Sequence, residues 1–176
     1  MTAIAAALAV LGVLATEPTV KERQIIDRAM QCSNAREPDP WLLWQLLEIE
    51  ERAGMPPELA GLTLAAACTE SGYNPTARGD CKRGKCRARG MFQLWPWWVK
   101  HYRISRDNPL ASAVAWLAHV VRQVPKTRKA CPRLTGAALW RAAQVRAVRA
   151  PRGPRCNQRS LHWKRWRRWR ATLGEI

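Results

Sequence analysis

One carboxylate stands where a charge is costly. Glu70 follows the run Leu62-Thr63-Leu64-Ala65-Ala66-Ala67-Cys68-Thr69. That run reads as a helix apolar on all sides, and such a helix is buried. At its C-terminal end, desolvation and the negative pole of the helix dipole both disfavour a carboxylate. A carboxyl group that keeps its proton near neutral pH is what general acid catalysis requires. A Glu turned outwards, or one satisfied by a nearby Arg, would occupy the same position in sequence, so its neighbours decide the reading. They are Ser71 and Tyr73, then the run Gly90-Met91-Phe92-Gln93-Leu94-Trp95-Pro96 beyond a loop.

A helical frame is expected to hold this group. Residues 20–30 place Ile25, Ile26, Ala29 and Met30 at the period of an amphipathic helix. Asp39 and Pro40 form an N-cap and first-turn pair for a second helix through Trp41, Trp44 and Leu47, which Gly54 ends. Pro56-Pro57-Glu58 opens the third helix, from Leu59 to about Ser71. Residues 72–90 are rich in Gly, Pro, Asn and Arg and read as a long loop, with a small hairpin around Cys81 and Cys86. Long ordered loops in compact domains are usually functional. Asn108 and Pro109 cap a helix from Leu110 to about Val124, with Pro125 and Pro132 bracketing a short basic connection. A further helix spans about 135–148, and a basic one about 160–173. The class is all-α. The chain divides into an apolar segment at 1–15, a helical domain at 16–159 and a Trp-rich basic helix at 160–176.

Composition narrows the partners. The 176 residues carry 30 Lys and Arg against 13 Asp and Glu, a net charge of +17, and no acid lies between Asp107 and Glu175. Such a field attracts polyanions: nucleic acid, phospholipid or lipopolysaccharide surfaces, or anionic wall polymers. Nucleic acid is disfavoured, because no nucleic-acid-binding motif accompanies the charge. Six cysteines point to disulfides and an extracytoplasmic or virion setting. The expected pairs are Cys81–Cys86 and Cys131–Cys156, with Cys32 and Cys68 paired or buried as thiols. No CxxC pair and only three histidines speak against a zinc site, and no metal or cofactor is expected. His101, His119 and His162 read as structural. Residues 1–15 are too short for a comfortable membrane span. They fit a secretory core that lacks the usual basic start, or an apolar helix on the domain or a membrane.

The two runs, Glu70-Ser71-Gly72-Tyr73-Asn74-Pro75-Thr76-Ala77 and Gly90-Met91-Phe92-Gln93-Leu94-Trp95-Pro96, resemble soluble lytic transglycosylases and goose-type lysozymes. The resemblance runs from Glu70 to Pro96 with an insertion, Cys81-Lys82-Arg83-Gly84-Lys85-Cys86. It implies a lysozyme-like helical fold around a buried catalytic-Glu helix, and cleavage of peptidoglycan between N-acetylmuramic acid and N-acetylglucosamine. Glu70 matches the catalytic acid, and Ser71 a residue beside it that helps set the site. Gln93 matches an amide that contacts the sugar, with Met91 and Phe92 near the sugar-binding wall. Tyr73 belongs to the same substrate-binding set. A glycan cleft calls for amides facing hydroxyl and acetamido groups and for aromatic faces under the sugar. Trp95, Trp97 and Trp98 fit that role or simple core packing. A later family motif, Ala-Tyr-Asn-Ala-Gly, supplies a Tyr to the catalytic Glu. Here the matching stretch is Ala138-Leu139-Trp140-Arg141-Ala142-Ala143, with neither Tyr nor Asn.

Glycosidases generally use two carboxylates. Asp80 is the sole acid on the site loop, so a hydrolytic lysozyme using Asp80 stands as the alternative, and a loop-turn role for Asp80 is the simpler one. In the tail, Trp163, Trp166 and Trp169 recur among cations. They read as an anchor to an anionic membrane or lipopolysaccharide surface, as a nucleic-acid arm, or as side chains docked on the domain. The expected location is periplasmic, secreted or virion-associated. A cationic membrane-active or virion protein with an inactive lysozyme-like fold is the rival reading.

Overall fold

The computed structural model describes residues 17–32, 37–148 and 156–172. The segment 1–15 therefore lies outside the described residues. Seven α-helices and one two-stranded sheet are found among the described residues, so the chain is mostly helical. In order they are α1 (Val20–Met30), α2 (Pro40–Arg52), α3 (Leu62–Ser71), β1 (Arg78–Lys82), β2 (Lys85–Arg89), α4 (Pro96–Tyr102), α5 (Pro109–Ala130), α6 (Gly136–Val148) and α7 (Leu161–Thr172).

Local chemistry sets most boundaries. Thr19 and Glu22 form a capping box at the start of α1. The Asp39 carboxylate accepts from the Trp41 N–H at 2.9 Å and Pro40 occupies the first turn of α2. Asn108 caps α5 through the Ala111 N–H at 2.9 Å. Two boundaries differ from the sequence expectation. The third helix is not continuous from Leu59: a turn of 3-10 helix, Pro57–Leu59, is separated from α3 by Gly61 at φ +89°. Conversely, α5 runs through Pro125 to Ala130. Proline costs a helix one hydrogen bond. Beyond it the last turn is held by buried Thr127, by a close face against α6 and by the Cys131 disulfide at its end.

Helix α3 is the centre of the core. Residues 62–68 are all buried. Helices α2 and α1 cover part of its surface and α7 covers another, α7 more extensively than either. The tail is thus a packed element. Trp166 is buried and its indole N–H donates to the Ala60 carbonyl at 2.9 Å, while Trp163 stacks on Trp166 and carries the Arg141 guanidinium 4.1 Å from its ring. Trp163 and Trp169 pack half-buried against the core. The Trp residues expected to anchor a membrane or lipopolysaccharide surface are therefore occupied within the fold. They dock because α3, lacking any polar face of its own, must be covered.

Three disulfides form: Cys32–Cys68, Cys81–Cys86 and Cys131–Cys156. Both expected pairs are present, and Cys32 with Cys68 takes the paired option. Their number is compatible with an extracellular location. No helix of the described residues is long and apolar enough to cross a membrane.

The first turn of α3 is capped from outside. Gly61 has no side chain to offer, and Glu50 of α2 supplies the carboxylate instead. It accepts from the Gly61 N–H at 2.7 Å and from the Thr63 N–H. A negative group belongs at that pole of the helix. Burial nevertheless raises its carboxyl to about 7 from the ordinary 4.5, against the opposing pull of those backbone bonds. The folded chain thus holds this proton more tightly than the unfolded one. That contribution to stability is complete below about pH 4.5 and is lost as pH rises through about 7. Urea midpoints of wild type should fall across this window, by on the order of 3 kcal/mol in stability relative to Glu50→Gln. Parallel curves for the two proteins would show that Glu50 is not the group responsible.

Candidate active site

Glu70 ends α3 beside a cleft of about 920 Å³. A volume of this order lies at the upper end of the range of ligand pockets. Its lining comes from Gly79, Asp80 and Ala88 of the hairpin and from Phe92, Gln93, Leu94 and Trp95 after it. Trp97 and Trp98 of α4 and Trp116, His119, Gln123 and Lys126 of α5 also line it. Arg146 and Ala147 of α6 complete it.

The strands pair antiparallel with Cys81 opposite Cys86, and Arg83 and Gly84 make the two-residue turn. Both have positive φ, +49° and +75°. That is the mirror-image turn whose twist matches a hairpin. The disulfide clips the hairpin across its last rungs, so a segment read as a loop becomes a firm wall.

Of the residues singled out in sequence, Glu70, Phe92 and Gln93 line the cleft. Phe92 stacks on Trp116 at 5.6 Å between ring centres. Gln93 sits at φ +47° and donates from Nε2 to the Gly90 carbonyl at 2.9 Å. Its Oε1 lies against Gly79, where a Cβ would come within 2.2 Å of it. Only glycine leaves room for that amide.

Ser71, Tyr73 and Met91, expected in the substrate-binding set, are not among the residues that line this cleft. Gly72 and Tyr73 both take left-handed backbone, and the turn carries the phenol back into the core. Burial raises the Tyr73 phenol well above its ordinary value. Met91 is fully buried. The Ser71 hydroxyl donates to the Met91 carbonyl at 2.8 Å. These residues tie the Gln93 segment to α3 and act on the cleft from behind.

Aromatic surface is plentiful. Trp95 and Trp97 are 41% and 45% exposed and both face the cleft, whereas Trp98 is buried and backs Trp97 at 4.5 Å. The Trp95 indole N–H donates to the Asp80 carboxylate at 3.0 Å. His119 shares a 2.9 Å hydrogen bond with the Tyr102 hydroxyl. Burial, then the positive charge of His101, Arg122 and Lys126, lowers its imidazole to about 4. It is a neutral wall group at physiological pH.

The surroundings of Glu70 differ from expectation in two ways. About a third of its side chain, 34%, is open to solvent, so the helix is buried but the carboxylate is not desolvated with it. The last turn of α3 emerges at the cleft. Its Oε1 is also held: His162 Nε2 lies 2.6 Å away. On the other side of the ring, Gln144 Nε2 lies 2.6 Å from His162 Nδ1, and Gln144 Oε1 accepts from the Ser160 hydroxyl at 2.9 Å. His162 and Gln144 are buried, at 4% and 0% exposure. His162, read from sequence as structural, is therefore in direct contact with Glu70. It lies 92 residues from Glu70, in a tail whose Trp spacing drew attention to positions 163, 166 and 169. The signal was available: His162, Trp166 and Arg170, four apart, are the buried face of α7.

Among the described residues no group of three His, Cys, Asp or Glu side chains is placed to hold a metal ion. No family model, curated protein or solved structure matches this chain.

Ser71→Ala should leave the Met91 carbonyl without its side-chain donor and loosen the Gln93 segment. The expected loss in unfolding free energy is about 1 kcal/mol. Chemical denaturation measures it, and an unchanged midpoint would show that the hydroxyl does not tie loop to helix.

Proposed function

We propose that this chain is a peptidoglycan-cleaving enzyme of the lytic-transglycosylase type, with a lysozyme-like fold. The bond cleaved lies between N-acetylmuramic acid and N-acetylglucosamine. One observation carries the reading: a carboxylate, fixed through one oxygen by a buried imidazole, borders a cleft that also presents a constrained amide and two exposed indoles. Glu70 and Gln93 belong to separate runs of the resemblance, and they border the same cleft.

In this mechanism protonated Glu70 gives its proton to the glycosidic oxygen as that bond breaks. The resulting carboxylate then takes the proton of the muramic 6-hydroxyl, whose oxygen closes on the anomeric carbon. Trp95 and Trp97 offer stacking faces, and Gln93 an amide for hydroxyl or acetamido groups. The route needs no second protein carboxylate, because the attacking hydroxyl is already positioned within the substrate. No cofactor enters it. The exposed Lys164, Arg167 and Arg168 leave α7 with a basic outer face for anionic wall polymers or a lipopolysaccharide surface. The setting this implies is periplasmic, secreted or virion-associated.

Hydrolysis by a true lysozyme is the second reading, favoured by Asp80, which borders the same cleft. Its carboxylate is already engaged by Trp95, which argues for a wall role.

Glu70→Gln keeps shape but cannot give a proton. It should lower cleavage of purified peptidoglycan at least ~10²-fold while leaving the fold intact. Zymography and circular dichroism together test this, and activity within a few fold of wild type would sink the assignment.

The products should carry 1,6-anhydromuramic ends. Mass spectrometry separates these from hydrolytic ends, which are heavier by one water. Dominant hydrated ends that vanish in Asp80→Asn would establish the lysozyme mechanism instead.

A further inference from the structure

We propose that His162 is the positioning residue of Glu70, and that Gln144 and Ser160 fix the imidazole tautomer that does this. The inference rests on the reading of Glu70 as the acid. Ser160 Oγ donates to Gln144 Oε1 at 2.9 Å, which leaves the Gln144 Nε2–H to donate to His162 Nδ1 at 2.6 Å. An Nδ1 that accepts must be unprotonated, so a neutral ring carries its hydrogen on Nε2. That hydrogen points at Glu70 Oε1, 2.6 Å away. Ser160 is held in turn, because its oxygen accepts from the Trp163 N–H at 3.0 Å in the first turn of α7.

The consequence falls on the other oxygen of the carboxyl. With Oε1 accepting from His162, the proton of the acid form resides on Oε2, and Oε2 is the atom that gives it up. When the proton passes to the glycosidic oxygen, the new negative charge meets an N–H already in place. A donor that needs no reorganisation at the moment of charge development favours that step. The same bond holds the carboxylate while Oε2 takes the proton of the 6-hydroxyl. The imidazole neither gains nor loses a proton in either step. Packing keeps the geometry: His162 and Gln144 are buried, and the Trp116 ring lies 6.1 Å from that of His162. The chain that lacks the Tyr expected near Glu70 supplies a donor from α7 instead.

Two substitutions separate positioning from packing. Gln at 162 extends an N–H donor to about the reach of Nε2 and can still meet Glu70. Asn reaches only about as far as Nδ1; it keeps a polar contact with Gln144 and loses Glu70. We expect His162→Gln to retain kcat within about fivefold, and His162→Asn to lose roughly ten- to a hundredfold, with KM within about twofold for both. Equal kcat for the two variants, in a wild type that cleaves peptidoglycan, overturns the inference and leaves the function standing. A wild type that leaves peptidoglycan intact overturns the functional reading and this role with it. Should His162→Asn fail to fold, imidazole ¹⁵N spectra of the wild-type protein carry the test. A protonated Nε2 and bare Nδ1, with the Nε2–H resonance moving in Glu70→Gln, is the expected result; a bare Nε2 overturns it.

Discussion

Helix α3 is apolar around its whole circumference, and that single constraint organises the fold. A buried helix has no face for water, so every side must be covered by another element. Helices α1 and α2 supply part of the cover and α7 much of the rest. The Cys32–Cys68 disulfide ties the end of α1 to α3, and the Arg165 guanidinium from α7 lies against both sulfurs. The element that closes the core therefore also arrives at the last turn of α3, where the helix surfaces as Glu70. Covering the core and placing His162 on Glu70 are one packing event. A site assembled this way is as rigid as the core beneath it, because neither partner can move without uncovering α3.

Two carboxylates flank α3, and they divide the electrostatics between them. Glu50 sits at the N-terminal pole, where the dipole and two backbone N–H groups favour a negative charge, yet burial outweighs both and raises its carboxyl. Glu70 sits at the C-terminal pole, where the dipole disfavours a charge, yet it is part-exposed and holds an imidazole N–H. The buried carboxylate is the structural one, and the candidate acid is the one open to solvent. Glu50, almost wholly buried, does not border the cleft that Glu70 does. Access to a cleft decides function here, and desolvation alone does not.

Much of the frame was legible because it depends on local chemistry. Asp39-Pro40 and Asn108-Pro109 mark helix starts through side-chain oxygens and a missing N–H, and both start helices where expected. The hairpin followed from two cysteines around Arg83-Gly84. Less legible was anything set by tertiary cover. Pro125 stays inside α5 because α6 and a disulfide hold the turn beyond it. Of the tail's tryptophans, alike in sequence to a surface anchor, Trp166 joined the core and Trp163 and Trp169 packed half-buried against it. Of the residues the motifs marked, Glu70, Phe92 and Gln93 line the cleft, whereas left-handed backbone at Gly72 and Tyr73 turns Tyr73 into the core and Met91 is buried behind the cleft wall.

His162 shows why the missing part was missing. Its partner is 92 residues away, and no local pattern encodes a contact of that range. What sequence does carry is the four-residue spacing of His162, Trp166 and Arg170, the buried positions of a helix whose Lys164, Arg167 and Arg168 are exposed. An inward polar group must find partners, because a buried donor or acceptor left unpaired is costly. A ring with two nitrogens needs two, and Gln144 satisfies one. The other meets α3, whose residues 62–68 are all buried and mostly apolar, at the exposed polar end of that helix. The same rule that penalises an unsatisfied buried imidazole thus directs it to the one carboxylate that α3 presents to the cleft.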